Sequence, residues 1–188
     1  QKSDYSSRFH QEEFAGFIIS KLGCTLDDAA GECFDKVSRM LWGPYPGGSW
    51  IGQKAKMGRL NPQVKFKRIF LSHDKYEFSF SGMKSQVSFL LEKLKKGGIE
   101  LTDQLICDIA YEFQEAVVEV MAKKLIQAAQ EFWAGSIAIA GWVSANQRLS
   151  EVIEEINKKK NLNFPFFSPV KMVYSTDNWA MIWVAGLL

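Results

Sequence analysis

Apolar residues return at helical spacing in several stretches of this chain. Ala30, Phe34, Val37 and Leu41 mark one amphipathic helix. Thr25 is placed to cap its start, with Asp27 and Asp28 in a first turn where carboxylates meet the positive helix end. The helix stops before Gly43-Pro44, and Ile51 to Met57 reads as a second, short helix ended by Gly58. A third runs from Met83 to Lys96 and ends at Gly97-Gly98. The strongest pattern follows Thr102, another cap candidate. There Ile106, Ile109, Ala110, Phe113, Val117, Val120, Met121, Leu125 and Ala128 keep the helical period to Gln130. Later helices are predicted over Ser144 to Lys159 and from Thr176-Asp177-Asn178 through Leu188.

Strand signals are shorter. Phe14 to Leu22 reads as a strand or a short helix, and Phe78-Ser79-Phe80-Ser81 alternates apolar and polar. Ile137 to Ala140 has the form of a buried strand, and Phe164 to Phe167 reads as another before Pro169. Residues 59–77 read as an exposed loop or hairpin. Strands alternating with helices predict an α/β domain.

Composition narrows the class. With 188 residues and 47% apolar content, the chain can build a real core. Lys and Arg number 23 against 21 Asp and Glu, so overall charge does not announce nucleic-acid binding. Two local basic groups, Lys65-Lys67-Arg68 and Lys158 to Lys160, read first as solvated faces. Three cysteines without metal or redox spacing fit a reducing, cytoplasmic setting. No apolar run approaches a membrane span, and no signal peptide is expected. The opening Gln1-Lys2-Ser3-Asp4, without an initiator Met, reads as a fragment of a longer protein.

Three junctions could hold an anionic ligand: Pro46-Gly47-Gly48, Gly141 to Asn146, and Ser175-Thr176-Asp177-Asn178. A glycine turn lets backbone approach an anion, and a helix start offers it free N–H groups. Together they suggest a nucleotide site. Asp35, on the helix leading into Gly47-Gly48, could reach ribose hydroxyls. Asp177 is either a helix cap or a single oxygen ligand for a metal. Glu32 and Lys36, four apart, read as a helix-surface pair. His10 and His73 belong to no metal-binding spacing and read as surface residues. No P-loop and no Ser/His/Asp or Cys/His order stands out.

Five motifs resemble one family. They are Asp27 to Lys36 (DDAAGECFDK), Tyr45 to Gly48 (YPGG), Phe78 to Lys84 (FSFSGMK), Gly141 to Asn146 (GWVSAN) and Thr176 to Ile182 (TDNWAMI). In order and spacing they are similar to the TsaD family, the catalytic subunit that makes threonylcarbamoyladenosine in tRNA. The resemblance implies an actin-like (ASKHA, ribonuclease H-like) fold. Residues 1–24 would end a first lobe. Residues 25–188 would form a second lobe with a largely helical insertion at about 83–130. It implies transfer of a threonylcarbamoyl group from threonylcarbamoyl-AMP to the adenosine beside the anticodon. Asp35, Gly48 and Asn146 match the positions that hold the adenylate (or ATP), and Asp177 matches the ligand of a divalent metal, iron or zinc. No residue is singled out as catalytic. The implied partners are tRNA, a paralogous actin-like subunit and an ATPase subunit, in the cytoplasm and without a membrane. The family's first lobe, with its paired metal histidines and phosphate loop, is absent, so this chain alone is expected to be inactive. The alternatives are a non-catalytic actin-like scaffold subunit of the same complex and, less well matched by the motifs, an actin-like sugar or acetate kinase.

The tryptophans depart from the family. Trp42, Trp50, Trp133, Trp142, Trp179 and Trp183 fall at turns or where this family commonly carries glycine or another small residue. The expectation is that these codons are UGA, meant as glycine and read as tryptophan. The competing account is a diverged lobe in which some of the indoles pack a core.

Overall fold

The computed structural model describes residues 11–14, 17–70 and 76–169. Strands β1 (Gln11–Phe14) and β2 (Phe17–Ser20) pair antiparallel, Gln11 opposite Ser20 and Phe14 opposite Phe17. Of the two forms open for Phe14 to Leu22, Phe17–Ser20 takes the strand, while Phe14 ends the strand before it. Four helices follow: α1 (Ala30–Met40), α2 (Gly47–Met57), α3 (Ser81–Lys96) and α4 (Asp103–Glu131). Then come β3 (Ile137–Ala138), a 3-10 turn at Trp142–Ala145, α5 (Gln147–Lys159) and β4 (Phe166–Phe167). Strands β3 and β4 run parallel, Ile137 beside Phe166, with α5 in the crossover between them. The described residues are thus a mixed, mostly helical α/β assembly.

Helix α4 is the axis. At 29 residues it spans about 43 Å and is buried on nearly every face. Its N-terminal half packs with α1, α2 and α3 around Phe34, Val37, Ile51, Met83, Val87, Ile109 and Phe113. The Phe34 and Phe113 rings meet edge-on at 5.0 Å. Its C-terminal half packs with β3 and α5 around Val118, Ala122, Ile126, Ile137, Leu149 and Ile153. Each such side chain removed from water stabilises the fold by roughly 1.5–3 kcal/mol. As its spacing predicts, Thr102 caps α4, its hydroxyl accepting from the Leu105 N–H at 3.2 Å.

Several boundaries differ from the sequence reading, among them α2, which begins at Gly47, four residues before Ile51. Thr25 does not cap α1: the helix begins at Ala30 behind Ala29, and Thr25 forms a lone parallel bridge with Phe78. Phe78-Ser79-Phe80 contributes only that bridge before α3 starts at Ser81, two residues early. The segment before α5 splits into a 3-10 turn and a helix because Asn146 caps afresh, accepting from the Arg148 N–H at 3.0 Å. The loop after α2 has no regular structure over residues 59–70, but it is not simply exposed: Val64 and Phe66 are buried. Among the described residues no helix is long and apolar enough to cross a membrane. His10, His73, Asp177, Trp179, Trp183 and the predicted final helix lie outside them.

Candidate functional site

The acidic motif at the head of α1 separates into parts with different work. Asp27 turns away from its own helix. Its carboxylate accepts from the Ser79 and Ser81 hydroxyls at 2.6 and 2.7 Å, and from the Phe80 and Ser81 N–H groups at 2.7 and 3.0 Å. It therefore caps α3 from 53 residues away in sequence. Partial burial pushes its carboxyl up, but these hydrogen bonds win and hold it well below the usual carboxylate range. Asp28 sits between Lys36 at 2.6 Å and Lys84 at 3.2 Å. The hydrogen bond from Lys36, foremost, lowers its pKa. Lys36 also reaches Glu32 at 2.7 Å, the helix-surface pair that the spacing predicts. These residues join the two motifs on α1 and α3 into one structural interlock.

Asp35 faces the glycine turn. It is half-buried, and its Oδ1 accepts the Gly47 N–H at 2.6 Å, which fixes the first residue of α2. Gly47 needs to be glycine: a Cβ there would lie 3.0 Å from the Asp35 Cα and the Phe34 carbonyl oxygen and would run into Ser38. Gly48 differs, for a Cβ there would meet nothing within 4 Å. It lies on open space at the positive end of α2, whose cap residue Pro46 contributes no side-chain bond.

The third residue joins through α4. The Asn146 Nδ2 donates to the Gln114 Oε1 at 3.1 Å, while its own oxygen caps α5. Gln114 is 6% exposed, one of the few buried polar residues of α4. Above its amide lies Gly52, one turn beyond Gly48, where an added Cβ would sit 3.7 Å from that same Oε1. Across the gap, Gly31 of α1 faces Val143 of the 3-10 turn, with 3.8 Å between a Cβ there and the valine methyl. Asp35 is thus bonded to the first residue of α2 and Asn146 to Gln114 of α4, while Gly52, one turn after Gly48, brings α2 up to that same glutamine. Gly141 at φ 82° makes the turn into this surface, and the Ser144 hydroxyl ties back to its carbonyl at 2.6 Å. Such a surface presents glycine backbone, a helix N-terminus and amide groups, a set suited to a polar, anionic ligand.

Sequence reasoning missed Gln114, one of four glutamines on α4 with nothing in its spacing to set it apart. It also missed why Asp108 and Glu112 are buried there. Asp108 accepts from the Arg59 N–H, Asn61 and Gln104 at 3.1, 2.9 and 2.7 Å. Glu112 accepts from the Phe66 N–H at 3.1 Å and pairs with Arg68, which also reaches Glu119 at 2.8 Å. Arg68 is therefore part of the fold rather than of a free basic patch, while Lys65, Lys67 and Lys158 to Lys160 are exposed. A cavity of about 420 Å³ lies elsewhere, between Met40 at the end of α1, Trp42 beyond it and the end of α3, and contains none of the predicted ligand-binding residues. Among the described residues no three His, Cys, Asp or Glu side chains gather as a metal would require.

Comparison with known proteins is specific. The family model described as TsaD, tRNA N6-adenosine threonylcarbamoyltransferase, matches residues 11–184. Proteins named tRNA N6-adenosine threonylcarbamoyltransferase from Bdellovibrio bacteriovorus, Carboxydothermus hydrogenoformans and Bacillus cereus are 42%, 43% and 40% identical to this chain. The alignments cover 89%, 88% and 95% of it, but 46%, 46% and 50% of those relatives. The chain spans about half the length of the curated relatives it matches.

Proposed function

The chain belongs to the tRNA N6-adenosine threonylcarbamoyltransferase family, and from that premise we propose that it is the adenylate-holding half of such an enzyme. In this reading the fold is actin-like. Residues 1–24 end a first lobe, and residues 25–188 form the second, with the helical segment at about 83–130 inserted in it. The complete protein moves a threonylcarbamoyl group from threonylcarbamoyl-AMP to an adenosine beside the tRNA anticodon. The adenosine amine attacks the carbamoyl carbon, a proton leaves that nitrogen, and AMP departs with the bonding pair on its phosphate oxygen.

The residues of this half bind and orient. Asp35 holds the turn at Gly47 and leaves its second oxygen for a ribose hydroxyl. Gly48 lets the nucleotide approach the start of α2, whose positive end suits the phosphate. Asn146, its oxygen engaged in the cap of α5 and one amide N–H in the bond to Gln114, offers its second amide N–H. Asp177 would give one ligand to a divalent metal, iron or zinc, the others coming from outside this chain. That metal would polarise the acyl group and hold the phosphate. Partners in this reading are tRNA, a paralogous actin-like subunit and an ATPase subunit, in the cytoplasm. The half alone is inactive.

The observation that carries the proposal is that Asp35 bonds to Gly47 at the start of α2 while Asn146, 111 residues later, bonds to Gln114, the α4 residue that Gly52 of α2 faces. The test is transfer by the full-length protein, with its complex, to unmodified tRNA, read by nucleoside mass spectrometry. Modified adenosine should form, and Asn146→Ala should lower kcat/KM at least tenfold, about 1.4 kcal/mol. Absence of transfer by the unaltered full-length protein would favour the scaffold alternative instead.

A further inference from the structure

Among the described residues, four helices finish in the same way. The residue after the helix cap takes the left-handed conformation at Trp42 (φ 59°) after α1, Gly98 (φ 65°) after α3, Trp133 (φ 53°) after α4 and Asn161 (φ 57°) after α5. The paired backbone bonds of this ending are present each time. After α1, Trp42 donates to the Arg39 carbonyl at 3.1 Å and Gly43 to Ser38 at 2.7 Å. After α4, Trp133 donates to Gln130 at 3.4 Å and Ala134 to Ala129 at 2.9 Å. After α3 and α5 the same bonds join Gly98 to Lys95, Ile99 to Leu94, Asn161 to Lys158 and Leu162 to Asn157, at 3.0 to 3.2 Å.

Glycine and asparagine are the residues that accept this conformation. A bulky indole is among those that resist it, and two of the four positions carry one. Compensation by packing is missing. Trp42 is 77% exposed and Trp133 is 89% exposed, although tryptophan is highly buried on average. Among the described residues neither ring stacks on another ring or lies under a cation. Nor can the turn shift by one residue after α1: Gly43 must itself be glycine, since a Cβ there would sit 2.6 Å from the Trp50 ring.

We infer that the protein made in its own cell carries glycine at positions 42 and 133, its codons there being UGA decoded as glycine. The reasoning stands on helix-end geometry and does not depend on the proposed activity. It reaches no further than these two positions, because neither Trp50 nor Trp142 has a positive φ. Peptide mass spectrometry of the protein isolated from its source, together with the codons, tests it directly. Glycine in the peptides spanning 42 and 133, with UGA codons, is the expected result. Tryptophan in those peptides, or UGG codons, overturns it. A second measurement tests the conformational premise alone. Trp42→Gly and Trp133→Gly should each raise the melting temperature of the chain by roughly 2–8 °C, and unchanged or lowered values would contradict it.

Discussion

Asp27 shows how one side chain can carry a motif's structural meaning. Four hydrogen bonds converge on its carboxylate, and all four are lost or weakened on protonation. Its folded pKa lies below the unfolded value of 3.8, so its contribution is complete above about pH 5 and is lost as pH falls below that. Asp28, lowered by Lys36 and Lys84, acts in the same direction. Melting temperature should therefore fall steeply with acid below about pH 4, and Asp27→Asn should flatten that limb while leaving Asp28's share. An unchanged acid limb in the variant would count against this role. Cys33 behaves oppositely: burial foremost, with Asp28 nearby, pushes its thiol up to about 12, and it stays an unreactive core group. At the two exposed helix ends, replacing tryptophan by glycine should stabilise by about 1–2 kcal/mol per site, measurable by urea unfolding.

Helix α4 organises everything else at the scale of elements. Its period was plain in the sequence because the apolar positions recur without interruption from Ile106 to Ala128, and Thr102 announced its start. Its buried polar residues were not legible, because their partners lie elsewhere in sequence and follow no local pattern. Asp108 and Glu112, one turn apart, hold the irregular segment after α2. Glu112→Ala would leave the Phe66 N–H without its acceptor and Arg68 with only one of its two carboxylate partners, and should cost about 1–3 kcal/mol in urea unfolding. The same long-range logic misled the reading of α1. Thr25 and Asp27 have the spacing of a cap and first turn, yet tertiary bonds to residues 78–81 claim them first. Arg148 gripping Glu115 with two bonds, at 2.7 and 3.0 Å, pins α5 to α4 and so sets where Asn146 stands.

Across the molecule, the motifs named the family while the geometry divided their labour. Much of the acidic and serine motif pair builds the α1–α3 interlock. In the proposed reading Asp35, Gly48 and Asn146 take the ligand, and Gln114 supports Asn146 from the core. Because Gln114 touches Asn146 rather than open space, Gln114→Leu should act through Asn146's orientation and weaken nucleotide binding several-fold with little loss of helix content by circular dichroism. The central claim is that these residues form one nucleotide-binding surface. Isothermal titration of ATP into the full-length protein tests it most directly, with Asp35→Ala and Asn146→Ala variants checked for intact melting. Each variant should bind about tenfold more weakly than the parent, ~1.4 kcal/mol. Parental affinity in both would contradict the account.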